Sequence, residues 1–268
     1  MKRKNSDNKE LASMFQFRLF VEMKSAGENR VKRQNELLSL IGVDTNFSND
    51  LTNGIREKCK QIGESGWVLT PYWVPRQNET WYGTWYEFIQ NKTPEKILTY
   101  FKSDDYKLLN EVIGRSTFQF GNFNWWVEAT ELFFKKYYLG CAMILTGLLE
   151  HGIRSCPIES WRQKVTIFYK EAVINKIEEI YTEEIIEPIS RYIDTVLLLP
   201  SLDGFINVFF DSGYKFQDGI EPQHLERNWL MHGMTTRDVT EEDCIKLFNA
   251  NATLCYLKTT VFQVDYTS

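Results

Sequence analysis

The fold is decided by residues 126–154, which read WVEATELFFKKYYLGCAMILTGLLEHGIR. This stretch contains no proline, and side chains suited to a buried face recur along it at helical spacing: Leu132, Leu139, Met143, Thr146, Leu149 and Ile153. We predict one long helix of about eight turns, with a break at Gly140 or Gly147 as an alternative. Cys156 and Pro157 end it, because the residue before a proline disfavours the helical conformation.

Further helical patterns follow in the C-terminal half of the chain. They cover 160–180, 188–199, 221–232 and a last stretch that begins after Thr240 and runs through Leu257. Pro200 is expected to stop the third helix in this half, which leaves 201–210 as a short apolar piece. Gly233 suits the position just after a helix, and Thr240 suits an N-cap. The pattern predicts an up-down bundle of four main helices and one shorter helix.

Upstream of a boundary near residues 114–121, the chain has a different character. Half of the eight tryptophans lie within 66–90: Trp67, Trp73, Trp81 and Trp85. They suit either a base-stacking platform for single-stranded nucleic acid or a small aromatic core. The scarcity of Lys and Arg among these rings favours the core, and a helix is expected after Tyr82. The sequence thus predicts an all-α protein, with an aromatic-rich, mainly helical accessory region at 1–115 and the bundle at 116–268.

Composition indicates a globular protein without export or membrane signals. Apolar residues make up 43 % and charged residues 25 %, and a formal net charge of −5 argues against a general nucleic-acid coat protein. The longest apolar runs are too short to cross a bilayer, and the first residues show no signal-peptide pattern. Five scattered cysteines without close pairs predict free thiols in a reducing cytoplasm. With three histidines, no structural zinc site or cofactor is expected.

One short cluster has a chemical character: residues 226–233, which read ERNWLMHG. Asn228 and His232 are four residues apart, so they share a helix face. Arg227 lies about 100° further round the helix, and its long side chain can reach the same cleft. These three residue types are not needed to fill a core.

The chemistry of RNA cleavage needs these residue types. Attack of a 2′-hydroxyl on its own phosphodiester requires a base, an acid for the leaving 5′-oxygen, and a cation for the charge that develops. His232 can act as base or acid near neutral pH, and Arg227 suits phosphate oxygens. One copy supplies one histidine and one arginine only. A two-fold homodimer would bring both sets into one groove.

At this cluster the sequence resembles the HEPN superfamily, a four-helix domain. Its ribonuclease members carry an arginine, then usually Asn, His or Asp, and a histidine a few residues later. Arg227, Asn228 and His232 match that pattern, and Gly233 follows as in many members. Residues 131–150, aromatic-rich, then aliphatic, then acidic, are similar to the first long helix of such domains. The likeness covers about 120–268 and does not extend to the accessory region.

The resemblance implies a metal-independent endoribonuclease that dimerises through its bundle. It also implies service as a toxin or antiviral-defence effector, with an antitoxin or another defence protein as a partner. Arg227 would stabilise the phosphate, His232 would handle the proton, and Asn228 would orient one of them. A non-catalytic binding or scaffold protein of the same fold is the alternative. In that case His232 and Gly233 only end the helix, and Arg227 pairs with a nearby acid.

Glu150 is the fourth candidate site residue. It lies on the line of residues that includes Met143 and Ile153, so it is expected to face the core rather than the solvent. An unpaired buried carboxylate is costly, and Arg227 or His232 would supply its partner. The alternative is that Glu150, near the end of its helix, reaches water.

Overall fold

The structure is a computed structural model that describes residues 49–72, 82–116, 123–165, 180, 193–211 and 219–262. All of these residues belong to the same structural unit, which spans Ser48–Ser268. Every secondary-structure element in the described part of the chain is helical, which confirms the all-α prediction. The accessory region is described only from residue 49 onward, without Trp73 and Trp81. The division of the chain at residue 115 stays a prediction.

The helices have these bounds in chain order: α1 (Asn49–Glu64), α2 (Gly83–Gln90), α3 (Glu95–Ser116, interrupted at 103–106), α4 (Phe123–Phe134), α5 (Tyr138–Arg154), α6 (Glu159–Val165), α7 (Leu199–Phe209), α8 (Arg227–Met231) and α9 (Glu241–Thr260). A π-helical segment, Ile193–Leu198, leads directly into α7. The helix expected after Tyr82 is α2. Of the helix predicted at 160–180, residues 166–179 lie outside the described residues, as do 188–192 of the next one.

The prediction of one continuous helix over 126–154 is wrong, because the chain turns between α4 and α5. Lys136 adopts a left-handed φ of 64°. Its N–H donates to the Phe133 carbonyl at 2.9 Å, and the N–H of Tyr137 donates to the Leu132 carbonyl at 2.9 Å. This pair of bonds is the Schellman arrangement that ends many helices. The break falls at a lysine and not at either of the predicted glycines.

Gly140 and Gly147 serve close packing of α4 against α5. A Cβ on Gly140 would lie 3.3 Å from Leu132 Cδ1, and a Cβ on Gly147 would lie 3.3 Å from Trp125 Cζ3. Residue 132 thus faces 140 and residue 125 faces 147, so the two helices run antiparallel. The same contacts place the Trp125 ring against the backbone of α5.

Pro200 begins a helix, so the prediction that it stops one is wrong. It lies in the first turn of α7, where its fixed φ and its missing N–H do little harm. The apolar piece predicted at 201–210 is this helix, and its Leu202, Phe205 and Ile206 are buried.

α7 crosses α1 with almost no space between the two backbones. A Cβ on Gly204 would lie 2.2 Å from the carbonyl oxygen of Lys60, and a Cβ on Gly63 would lie 2.0 Å from that of Ser201. Contacts this short cannot accommodate a side chain, so glycine is required on both helices.

α9 is buried along most of its length and joins the other helices into one core. Its Phe248 ring meets Trp126 of α4 edge to face, with ring centroids 5.1 Å apart. The Asn251 side-chain amide donates to the Leu145 carbonyl of α5 at 3.0 Å. α9 therefore fixes the helix that carries Glu150.

The tryptophans of the aromatic-rich segment that the structure describes form part of the core. The Trp67 ring stacks on Phe101 with centroids 5.6 Å apart, and Trp85 lies 6.0 Å from the same ring. Trp67 and Trp85 are completely buried. For these two residues the aromatic-core interpretation is correct, and neither presents a face to a nucleic-acid base.

The five cysteines are buried free thiols, which confirms the prediction made from their spacing. Burial raises the pKa of the Cys59 and Cys255 thiols. A thiol whose pKa is raised in this way holds little thiolate at neutral pH and is a poor nucleophile.

Asp194 makes the stability of the fold depend on pH. It lies in the π-helical segment, is 2 % exposed, and lies beside the side chains of Tyr256 and Thr260. Burial raises the pKa of its carboxyl to about 7, whereas an unfolded chain gives about 4. The folded state therefore binds this proton more tightly than the unfolded state does. The protonated Asp194 carboxyl therefore adds to the free energy of unfolding. This stabilisation is complete below pH 4 and is lost as the pH rises toward 7.

We expect Asp194→Asn to stabilise the protein at high pH, because the amide resembles the protonated carboxyl. At pH 8 the free energy of unfolding should rise by about 1–3 kcal/mol, and the difference should shrink toward pH 4. Urea unfolding at both pH values measures this. Equal destabilisation at both values would mean that the amide disturbs the contacts with Tyr256 and Thr260 and that charge burial is unimportant.

Candidate functional site

The helix that carries the Arg-Asn-His cluster is short. The prediction of a helix over 221–232 is wrong, because residues 219–226 are not helical and α8 contains only Arg227–Met231. Glu226 has extended backbone angles, and its carboxylate accepts a hydrogen bond from the Trp229 N–H at 2.9 Å. The helix can therefore begin only at the next residue. Trp229 and Leu230 are buried and anchor α8 to the core.

Glu226 is a buried N-cap, and burial raises the pKa of its carboxyl. We expect Glu226→Ala to lower the free energy of unfolding by about 1 kcal/mol, because one N–H at the start of α8 loses its acceptor. Glu226→Gln keeps an acceptor oxygen and should recover most of the loss. Urea unfolding of both variants measures this. Equal losses for the two variants would contradict the capping role.

α8 ends as the sequence predicts, at Gly233. This residue has a left-handed φ of 68°, its N–H donates to the Leu230 carbonyl at 3.2 Å, and the N–H of Met234 donates to the Trp229 carbonyl at 2.8 Å. These bonds again form a Schellman arrangement. His232 occupies the C-cap position, with its N–H bonded to the Asn228 carbonyl and its side chain exposed. The turn therefore presents the imidazole to solvent.

Glu150 and Arg227 form a partly buried ion pair between α5 and α8. Glu150 is 8 % exposed, so the alternative in which it reaches water at the helix end is wrong. One carboxylate oxygen accepts a hydrogen bond from Arg227 Nε. The other accepts one from Arg154 Nη2 at 3.3 Å. The expectation that a buried Glu150 would pair with Arg227 or His232 is met by Arg227.

A second side chain orients the same guanidinium. Arg227 Nη1 donates to Asn228 Oδ1 at 2.7 Å, and Asn228 Nδ2 donates to the Asp211 carbonyl at 3.3 Å. Glu150 and Asn228 thus hold the planar fork from two directions, while the Arg227 side chain stays 23 % exposed. Two guanidinium groups share one carboxylate, so the cluster of Arg154, Arg227 and Glu150 carries one net positive charge. Such a charge can attract a phosphate.

The loop after α8 is tied to the start of α9. Arg237 makes two hydrogen bonds to the Asp243 carboxylate, at 2.9 and 3.0 Å. Thr240 is the N-cap of α9, as the sequence predicts, and Asp243 completes a capping box with it. Arg237 therefore holds the loop in place, and its guanidinium is engaged by the protein's own carboxylate.

The structure brings three of the four predicted site residues into contact, namely Glu150, Arg227 and Asn228, and puts His232 one turn from Asn228 on the same helix. The sequence interpretation missed Arg154, although its spacing of four residues from Glu150 is the one that pairs charges on a helix. It also missed Trp125, whose ring lies against Gly147, one turn before Glu150.

The described residues include no group of three or more His, Cys, Asp or Glu side chains able to hold a metal ion. No helix in that part of the chain combines the length and apolarity needed to cross a membrane. Comparisons of the chain with protein-family models, curated proteins and solved structures find no match. Evidence for function therefore comes from the chemistry of the Arg227 cluster.

Proposed function

We propose that this protein is a metal-independent endoribonuclease that cleaves RNA by attack of a 2′-hydroxyl. It would act as a toxin or antiviral-defence effector in the cytoplasm, on a HEPN-like four-helix bundle, with an antitoxin or another defence protein as a partner. The observation that carries the proposal is the fixed guanidinium of Arg227. This guanidinium is held by Glu150 of α5 and by Asn228 of α8. The exposed imidazole of His232 lies at the end of α8, the same short helix that carries Arg227.

Each group has one role in the reaction. His232 takes the proton from the 2′-hydroxyl, whose oxygen attacks phosphorus and forms a 2′,3′-cyclic phosphate. The bond from phosphorus to the 5′-oxygen breaks, and that oxygen receives a proton from His232 of a second copy. Arg227 stabilises the additional negative charge on the phosphate. Glu150 and Asn228 hold Arg227 in the orientation this requires, so they are positioning residues.

The experiment is incubation of the purified protein with labelled tRNA and mRNA in EDTA. We expect cleavage that leaves 2′,3′-cyclic phosphate ends, and loss of cleavage in Arg227→Ala and His232→Ala. The matched control is His224→Ala, which removes another exposed histidine outside the proposed set. A requirement for a divalent metal, or equal inertness of wild type and His232→Ala across these RNAs, would contradict the proposal.

A homodimer follows from the need for two proton-handling groups in one site. Light scattering at micromolar concentration should give twice the mass of the chain. A strictly monomeric mass, found together with RNA cleavage, would remove the composite site and leave one histidine to carry both proton transfers.

The second candidate is a non-catalytic binding or scaffold protein of the same fold. It is favoured by the same contacts, because a guanidinium engaged by Glu150 and Asn228 also suits a structural link between α5 and α8. This function predicts that Arg227→Ala lowers stability, while expression of the wild-type protein leaves cellular RNA intact. Northern blots of tRNA after induced expression separate the two candidates.

A further inference from the structure

Trp125 is an exposed aromatic side chain that contacts α5, the helix that carries Glu150 and Arg154. It lies in α4 and is 50 % exposed, whereas its neighbour Trp126 is buried in the core. Its Cζ3 lies 3.3 Å from the point that a Cβ on Gly147 would occupy. The absence of a side chain at Gly147 therefore lets the ring rest against α5 while half of its surface faces solvent.

The ring lies on the same side of α5 as the two arginines. Glu150 follows Gly147 by three residues and Arg154 by seven, and residues at these spacings share a helix face. The helix rise puts them about 5 and 10 Å further along the axis. Glu150 binds Arg227, and the Arg154 side chain is 54 % exposed. The Trp125 ring, which rests on α5, is thus followed along this helix by the net positive charge of the Arg227 cluster.

One exposed acidic side chain, Glu128, lies at the other end of this surface. Because α4 runs antiparallel to α5, Glu128, one turn after Trp125, lies toward Met143 and away from Arg154. A polyanion that contacts Trp125 is therefore repelled on the Met143 side and attracted on the Arg154 side.

We propose that single-stranded RNA stacks one base on Trp125 and places a neighbouring phosphate on Arg154 and Arg227. The identification of RNA rests on the proposed function, whereas the surface rests on the contacts above. Aromatic rings beside basic groups are the usual means by which proteins hold unpaired bases. Stacking accepts every base, so Trp125 sets a preference for unpaired over paired RNA and not for a sequence.

The test is binding of a fluorescent 2′-O-methyl RNA without self-pairing, measured by anisotropy. This RNA cannot undergo attack by its 2′-oxygen, so the wild-type protein can be used without cleavage. We expect Trp125→Ala to weaken binding by about 10-fold to 100-fold, and Trp125→Phe to recover most of it. Arg154→Ala should weaken binding and reduce its dependence on salt.

Phe134→Ala is the matched control for the loss of an exposed aromatic ring from α4. Phe134 is 52 % exposed and lies nine residues after Trp125. This spacing is two and a half helical turns, so the two residues lie on opposite sides of α4. This variant should bind the RNA like the wild type. Circular-dichroism melting of each variant checks its fold, and Trp125→Phe keeps the test valid if Trp125→Ala melts early.

A series of RNAs with a single abasic site gives a second, independent readout. One abasic position should weaken binding to the wild type and have no further effect on Trp125→Ala, because both changes remove the same stack. Equal RNA affinity for Trp125→Ala and wild type would overturn the inference. So would a change in oligomeric mass without a change in RNA affinity, because Trp125 would then face another protein chain.

The outcomes separate this inference from the proposed function. Cleavage of RNA with unchanged affinity in Trp125→Ala removes the stacking site and leaves the nuclease. Loss of affinity in Trp125→Ala without any cleavage by the wild type supports the stacking site and removes the nuclease. Failure of the wild type to bind any single-stranded RNA removes the stacking site.

Discussion

His232→Ala is expected to lower kcat/KM for RNA cleavage by about 10²-fold to 10⁴-fold, the range of general acid–base catalysis. The imidazole is exposed at the C-cap of α8, and the helix end is held by backbone bonds to Leu230 and Trp229 that an alanine leaves intact. The loss should therefore come from proton transfer and not from unfolding. Single-turnover cleavage of one defined RNA measures the effect.

The same measurement includes its own controls. His224→Ala should cleave at the wild-type rate, and the thermal midpoint of His232→Ala should match that of the wild type. Mixing the wild type with an excess of His232→Ala tests the composite site: each mixed dimer holds one His232 only, so cleavage per wild-type chain should fall if both histidines serve one groove. A rate for His232→Ala within a factor of about three of the wild type would contradict any proton-transfer role for this residue.

Gly204→Ala is expected to have the largest effect on stability, a loss of about 3 kcal/mol. The added methyl group would lie 2.2 Å from the Lys60 carbonyl oxygen and 3.0 Å from the Glu64 nitrogen. Both atoms belong to the backbone of α1, so no side chain can rotate away and the two helices must separate. This separation outweighs the gain of about 1 kcal/mol that alanine brings to a helix over glycine.

Gly54→Ala is the matched control for Gly204→Ala. Gly54 lies in α1, the helix that Gly204 of α7 meets, and nothing lies within 4 Å of the point where its Cβ would stand. This substitution should raise the free energy of unfolding by up to about 1 kcal/mol. Urea midpoints of the two variants should therefore move in opposite directions. Equal midpoints would mean that α1 and α7 can part without loss of packing.

The parts of the site that follow from local chemistry could be predicted from the sequence. Helical spacing put Glu150 in line with Thr146 and Ile153, which are buried, although Leu139 and Met143 of the same line are exposed. The cost of an unpaired buried carboxylate then required a cationic partner. Gly233 and Thr240 are residue types with strong positional preferences at helix ends, so the end of α8 and the start of α9 follow from them.

The predictions that were wrong concern places where tertiary contacts override the local conformational preference of a residue. Lysine rarely adopts a left-handed conformation, so nothing in the residue type of Lys136 predicts the turn between α4 and α5. Pro200 is compatible both with the end of one helix and with the start of the next, and only packing on α1 decides. Glu226 is not among the favoured N-cap residues, so the late start of α8 could not be read from it.

The shared carboxylate of Glu150 has a consequence for any movement of Arg227. If the Arg227 guanidinium moves away, Arg154 still neutralises Glu150, so the carboxylate is not left as a lone charge in the core. Arg154 thus serves as a second counter-ion for Glu150. The contact between α5 and α8 can therefore open at Arg227 with a small energetic penalty.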